Sequence, residues 1–326
     1  MEISVIVPTF NNRRVLEKTL EALQTQTFPA QDYEIVVADD GSTDGTAEMV
    51  AAMRGPAPIR YVSQANGGRA AARNMGARAA RGRILLFVDS DFWATPALLA
   101  EHHTHYPPEL RRRGVQGRWI VHAAARVTPF MRTKEITLDF TVRRRRNLSP
   151  VHVNTRNFSL LRAELESAGG FDEGFTGYGW EDIELALRLH ARGVTFEYEP
   201  RAVGHHHHVE TLEGTRRKLR QSGEGAVYLW RKHGRSFGLG LFLEIAPFLL
   251  PLKWLVYRTP LVTPVVRWVL PRAEAQEWLP VLNECYNHLQ WEAYYDGVFH
   301  TLRAPRRVVR APRAEVELTG KSGHGD

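Results

Sequence analysis

Between Ile3 and Val88, short apolar runs alternate with segments of helical period, and this alternation constrains the fold more than any other feature of the chain. Ile3 to Val7, Glu34 to Ala38, Ile59 to Val62 and Arg83 to Val88 are short, largely apolar runs suited to strands buried on both faces. Between them, Val15, Leu16, Thr19, Leu20 and Leu23 recur at helical spacing. Thr46 to Met53 reads as a second helix, and the alanine-rich Ala70 to Ala80 as a third. Strands separated by helices of this length predict parallel βαβ units with right-handed crossovers. Such sheets bind ligands outside the carboxyl ends of their strands. Two polar clusters, Asp39-Asp40 and Asp89-Ser90-Asp91, fall there.

Patterning weakens after residue 100. Residues 107–118 read as a turn-rich connection, 119–142 as containing strands, 143–150 as a mobile loop and 151–161 as strand-like. The glycine-rich Gly169 to Phe175 and Gly177 to Trp180 lead into a helix from Glu181 to Ala191, and helical patterns resume beyond residue 209. The tail from Ala304 has no clear periodicity and reads as partly disordered. No internal repeat is present in the sequence.

Several function classes are excluded or weakened. Pro8-Thr9-Phe10-Asn11-Asn12 follows the first strand where a dinucleotide fold carries Gly-x-Gly-x-x-Gly, and no Walker A lysine loop occurs. Asp40-Gly41-Ser42-Thr43-Asp44-Gly45 begins like a calcium loop, but Ala51 stands at the twelfth position, where a bidentate Glu is required. A single cysteine, Cys285, excludes an internal disulfide framework and any multi-cysteine metal site. A spanning helix wants about 20 predominantly apolar residues. The most apolar stretch, 239–271, is broken by Glu244, Lys253, Arg258, Arg267 and five prolines. It reads either as a buried helical pair or as an interfacial segment. The start lacks a basic region followed by a long apolar one, so a cytoplasmic location is expected, with peripheral contact on the inner face of a membrane admitted. The formal charge is +7, and Arg143-Arg144-Arg145-Arg146 contributes to it. That run is either a solvated face or a contact for anionic partners.

Three clusters carry chemistry. Asp89-Ser90-Asp91, at the end of a buried strand, is either a turn or a pair of carboxylates sharing a divalent cation such as Mn²⁺ or Mg²⁺. Glu181 and Asp182 open a helix, where acidic residues complement the macrodipole and where a helix N-terminus lowers carboxylate basicity. With Tyr178 and Trp180 beside it, Asp182 also suits a base that takes the proton of a sugar hydroxyl. In an extended backbone, His206 and His208 share one face and His205 and His207 the other, so one imidazole can complete a metal shell begun by Asp91.

Taken in order, these pieces resemble a family 2 glycosyltransferase. The matching segments are Ser4 to Asn11, Val37 to Thr46, Asn66 to Gly76, Asp89-Ser90-Asp91, Gly169 to Glu173 and Trp180-Glu181-Asp182, which together reach across residues 3–208. The resemblance implies an α/β GT-A fold, a Rossmann-like, mostly parallel sheet flanked by helices, here with a helical C-terminal extension. It implies a GT-A domain over 1–235, with the nucleotide-sugar half to about 118 and the acceptor half over 119–235. A helical extension over 236–303 and a basic tail over 304–326 would follow. By position, Pro8, Phe10 and Asp40 would line the nucleobase pocket, with Gly68 and Arg69 near the phosphates and Asp89 by the ribose. Asp91 would hold Mn²⁺ or Mg²⁺ with a late histidine, His206 first and His208 second. Asp182 matches the catalytic base, with Trp180 and Glu181 facing the acceptor. The implied reaction is a metal-dependent, inverting transfer from a nucleoside diphosphate sugar, UDP-sugar first, to a glycan, lipid-linked or small-molecule acceptor. The rivals are a nucleotidyltransferase on a similar sheet and a basic protein binding nucleic acid or a membrane surface; no nucleic acid partner is expected.

Overall fold

The computed structural model describes residues 1–122, 128–134, 147–207 and 209–304. Strands and helices alternate as β1 (Ile3–Thr9), α1 (Arg13–Gln24), β2 (Tyr33–Asp39), α2 (Thr46–Ala52), β3 (Ile59–Ser63), α3 (Arg69–Ala79) and β4 (Ile84–Val88). There follow β5 (Phe92–Ala94), α4 (Leu98–His103), β6 (Arg113–Val121), α5 (Pro129–Lys134), β7 (Asn147–Leu148), β8 (Asn157–Leu161), α6 (Arg162–Ser167), α7 (Glu181–Ala191) and β9 (Thr195–His206). Beyond the sheet come α8 (Leu212–Lys232), α9 (Phe237–Phe242), α10 (Leu250–Arg258), α11 (Thr263–Ala275) and α12 (Leu279–Arg303).

The strand order is β3-β2-β1-β4-β8-β6-β9-β5, with β7 paired to β9. β1 lies parallel between β2 and β4, with Val5 opposite Ile35 on one side and Leu86 on the other. Beyond β4 the sheet turns mixed: β8 joins antiparallel to β4 and β6, and β6 runs parallel to β9. Every residue of β2 and β4 is buried, as continuous apolar runs require when helices cover both faces. Alternation along β1 divides the core. Val5 and Val7 pack with Leu16, Leu20 and Leu23 of α1. Ile6 packs on the opposite face with α3 alanines and with Leu185 and Leu189 of α7.

The helices after the sheet are built around α8 and α12. Val227, Trp230, Tyr294 and Tyr295 form a core that also takes in Phe175 and is flanked by Ile183 and Leu187 of α7. Two glycines let these helices approach. A Cβ at Gly223 would collide with the Tyr294 carbonyl oxygen, and one at Gly297 with the Arg220 carbonyl oxygen. Among the described residues no helix is long and apolar enough to cross a membrane.

The middle of the chain departs from the sequence reading. Within the expected connection over 107–118, a strand begins at Arg113, because β6 finds partners on both sides in β8 and β9. Where 119–142 was expected to hold strands, only the end of β6 does so among the described residues, and Pro129–Lys134 is a helix. The strand-like stretch from Val151 is extended and paired only from Asn157, since Pro150–His152 forms a 3-10 turn. Asn147 and Leu148, expected in a loop, pair with Glu197 and Phe196. Arg143 to Arg146 and the tail beyond Ala304 lie outside the described residues. Residues 239–271 form short helices with few buried positions rather than a buried pair.

Gly223→Ala is expected to destabilise the protein by about 1–3 kcal/mol, because backbone carbonyls cannot yield to the added methyl as a flexible side chain would. Urea unfolding checks this, and a midpoint equal to that of the parent would show that α8 and α12 do not meet at this glycine.

Candidate functional site

The loops at the carboxyl ends of β1, β2 and β4 are tied to one another. Asn11, with φ of 47°, donates its backbone N–H to Ser42 Oγ at 2.8 Å and accepts from the Thr43 N–H through Oδ1 at 2.8 Å. Asn12 Nδ2 donates to Ser90 Oγ at 2.9 Å. Phe10 stands at this rim, 49% exposed, above the half-buried Pro8. Asp39 is fully buried and accepts from the Ser42 N–H at 2.8 Å and the Tyr61 hydroxyl at 2.7 Å.

Asp40, directly after β2, is held by three hydrogen bonds. Its Oδ1 accepts from Gln64 Nε2 at 2.8 Å and the Gly67 N–H at 2.9 Å, and its Oδ2 accepts from the Gly68 N–H at 2.8 Å. It is 4% exposed. The carboxylate is tied into the Asn66 to Gly68 loop, as a buried charge must be hydrogen-bonded where it lies. The same bonds spend the Gly68 amide. Gly68, with φ of 90°, caps α3, and the Arg69 guanidinium that follows lies 4.6 Å from the Tyr178 ring centroid.

The acidic pair after β4 meets a histidine from β9. The antiparallel pairing of β5 with β9 puts Phe92 opposite His206, and the His207 N–H donates to the Asp91 carbonyl at 2.8 Å. His206 Nε2 consequently lies 3.1 Å from Asp91 Oδ1 and 4.0 Å from Asp89 Oδ2. One coordinating atom from each of Asp89, Asp91 and His206 lies within 4.8 Å of the others. Two carboxylates and an imidazole, all partly accessible, fit a divalent cation of the Mn²⁺ or Mg²⁺ kind. His207 stacks on Trp93 with ring centroids 4.4 Å apart and lies 5.3 Å from His122, while His205 lies 5.9 Å from His122. His208 lies outside the described residues.

Two arginines join this cluster to the start of α7. Arg73, 4% exposed on α3, places Nη1 2.8 Å from Glu181 Oε1 and Nη2 3.4 Å from Asp89 Oδ1. Arg156 places Nε 3.7 Å from Asp89 Oδ2, donates through Nη2 to the Tyr178 hydroxyl at 3.2 Å and covers the Trp119 ring at 4.8 Å. Both guanidiniums act on Asp182. Burial, and then the neighbouring Glu181 carboxylate, push the Asp182 carboxyl up to about 6, while Arg73 and Arg156 oppose the rise. The lowered basicity expected at a helix N-terminus is thus outweighed by desolvation.

Trp180 and Glu181 do not face outward. Trp180, in left-handed backbone with φ of 78°, donates Nε1 to the Ser222 carbonyl at 2.7 Å and meets Phe242 edge-on at 6.0 Å. Glu181 is 4% exposed and paired to Arg73. Both are spent on the interior because the first turn of α7 is wedged between α3 and α8. Arg73 and Arg156, which reach Asp89 and the start of α7, were missed by the sequence analysis. Arg73 had a legible signal, a cation amid alanines on a helix that the sheet must bury. Arg156, in a turn before β8, had none.

Removing one partner of a buried pair leaves an uncompensated charge and typically costs about 3–5 kcal/mol. Arg73→Met should therefore lower unfolding stability by that order, with Arg73→Lys recovering only part, because an ammonium cannot span both carboxylates as the guanidinium fork does. Chemical denaturation of the two variants is the check, and equal stability of parent and Arg73→Met would refute the bridge.

A family model described as Glycosyl transferase family 2 matches residues 4–169, and one described as N-terminal domain of galactosyltransferase matches residues 154–212. Validoxylamine A glucosyltransferase of Streptomyces hygroscopicus subsp. jinggangensis is 36% identical over 234 residues, covering 59% of this chain and 52% of that protein. A glycosyltransferase of Bacillus subtilis, YfnE, itself uncharacterized, is 30% identical over 244 residues, covering 60% of this chain and 62% of that protein. The chain thus spans about half the length of the first of these relatives. Among solved structures, mannosyltransferase PcManGT from Pyrobaculum calidifontis, in complex with GDP-Man and Mn²⁺, has a TM-score of 0.59 at 19% identity, covering 90% of this chain and 86% of that one. Staphylococcus aureus TarS in complex with UDP-GlcNAc has a TM-score of 0.54 at 17% identity, covering 97% of both chains. At these identities the likeness is one of fold.

Proposed function

On the premise that the chain belongs to glycosyl transferase family 2, we propose that it moves a sugar from a nucleoside diphosphate donor, a UDP-sugar first, to an acceptor hydroxyl with inversion. The observation that carries this reading is the convergence of Asp89, Asp91 and His206 on one side, and Asp182 on the other, about the Arg73 guanidinium. Asp182 takes the proton of the acceptor hydroxyl as its oxygen attacks the anomeric carbon, and the bond to the diphosphate breaks on the opposite face with its electron pair. A carboxyl raised to about 6 is better matched to that task at neutral pH than an ordinary aspartate. Arg73 and Arg156 favour its ionised form, and both guanidiniums also stand beside Asp89. Asp91 and His206, with Asp89 alongside, would hold Mn²⁺ or Mg²⁺, which when bound compensates charge developing on the leaving diphosphate.

The remaining roles follow from where the side chains stand. Phe10 and Pro8 supply the apolar rim for the nucleobase, while Asp40 shapes the loop that starts α3. Arg69 takes the phosphate-facing role that the Gly68 amide has given up. Tyr178 replaces Trp180 as the aromatic side chain of the cleft, its ring 4.6 Å from Arg69 and 5.5 Å from the Lys218 ammonium. The donor belongs to the half before about residue 118 and the acceptor to the half after it, with Asp182 reaching back between them. A glycan, a lipid-linked sugar or a small molecule would each present the required hydroxyl.

Asp182→Asn should lower kcat by about 10²–10⁴-fold while donor affinity stays near that of the parent. Transfer at the parental rate by this variant would remove Asp182 from the mechanism. Because the base acts ionised, kcat/KM should be full above about 6 and fall as pH drops through that value; a profile flat from pH 8 to 4 would contradict it. Asp91→Asn should abolish the calorimetric heat of Mn²⁺ binding in the presence of UDP, and undiminished heat would move the cation elsewhere.

A further inference from the structure

The surface formed by α9, α10 and α11 is inside out. On α10, Lys253 points inward, its Nζ 2.6 Å from Glu244 Oε2 and 5.5 and 5.3 Å from the ring centroids of Trp291 and Tyr295. Leu252, Trp254 and Leu255 of the same helix are exposed at 59%, 43% and 46%. No residue of α10 is buried, although the helix packs on α12. The pattern continues through Leu261 and into α11, where Trp268 is 62% exposed. Among the described residues, thirteen of the seventeen exposed large apolar side chains fall between Phe237 and Leu279. A helix that turns its ammonium to the core and its leucines and tryptophan outward is built for an apolar neighbour.

The chemistry of the exposed side chains selects that neighbour. The outward side chains include Phe248, Trp254, Trp268 and Trp278, the aromatic types that settle at a lipid–water boundary. Arg272 stands 4.0 Å over the Trp268 ring, a cation on an apolar platform. The sequence at the end of α12 continues through Arg303, Arg306, Arg307, Arg310 and Arg313 before the first acid, Glu315. A cluster of four to eight such cations in a sequence suits anionic headgroups. The helices of this face are too short and interrupted to cross a bilayer. We propose that the α9–α11 face docks on a membrane surface bearing anionic lipid, its aromatic side chains entering the headgroup–acyl boundary. This docking requires neither donor nor acceptor, so it stands or falls apart from the sugar-transfer reading.

The test is co-sedimentation of the full chain with vesicles of phosphatidylcholine alone and of three parts phosphatidylcholine to one part phosphatidylserine. The parent should bind the mixed vesicles more tightly. Combining Trp254→Ser, Leu261→Ser and Trp268→Ser should weaken binding about tenfold or more, with an unchanged melting curve because all three side chains are exposed. Replacing Arg306, Arg307, Arg310 and Arg313 by Gln should weaken binding to the mixed vesicles alone, by about tenfold or more. Failure of the parent to sediment with either vesicle overturns the proposal, as does unaltered binding by either variant. A concentration-dependent dimer dissolved by the triple substitution, with no vesicle uptake, would assign the face to a second copy and overturn it equally.

Discussion

A buried guanidinium holds the cleft together. Arg73 leaves α3, contacts Asp89 at the end of β4 and ends on Glu181 at the start of α7, joining segments 108 residues apart in the chain. Taking a cation out of water is costly, and only close carboxylates return that cost. Asp89 and Glu181 are the carboxylates in contact with it, and Asp182 acts on it from further away. The acids therefore need the arginine as much as it needs them. Without such a cation, Asp182 at the head of α7 would be driven further toward protonation by burial and by the neighbouring Glu181 carboxylate. The loops after β4 and before α7, with the acidic side chains they carry, are arranged around this one compensated charge.

The alternation of β1 through β4 with α1 through α3 was readable because burial on both faces leaves continuous apolar strands, and nothing in that segment competes with the pattern. Asp89-Ser90-Asp91 was readable for the same reason: two acids at the end of such a strand have no place in a core. The His205 to His208 run offered a candidate metal ligand but left open which histidine would stand beside the acids. Register there comes from the three-residue pairing of β5 with β9, and β5 is too short to leave a periodic trace. β6 was hidden because its partners come from residues downstream, and no local pattern reports them.

The roles of Asp40, Trp180 and Glu181 were unreadable for a different reason. A motif states which residue types stand at which spacing, but not which way each side chain turns. Asp40 turns to backbone amides of its own half, Trp180 to α8 and Glu181 to Arg73. Each is a case of a polar group consumed by the interior because burial leaves it no alternative. The cleft then falls to less conspicuous neighbours, Tyr178 and Arg156, whose significance depends on contacts across the fold. The C-terminal helices show the converse. Their sequence looked like either a core or an interface, and the orientation of a single side chain, Lys253, decides how α10 is presented.

The pairing of β5 with β9 also has a temporal meaning. Asp91 and His206 become neighbours through the antiparallel pairing of residues 92–94 with 204–206, so in a nascent chain that has emerged only as far as α7 the two acids have no histidine beside them. A divalent ion bound there would favour the completed sheet over every earlier intermediate by mass action. Such an ion would act as a latch, set only once the last strand has come home.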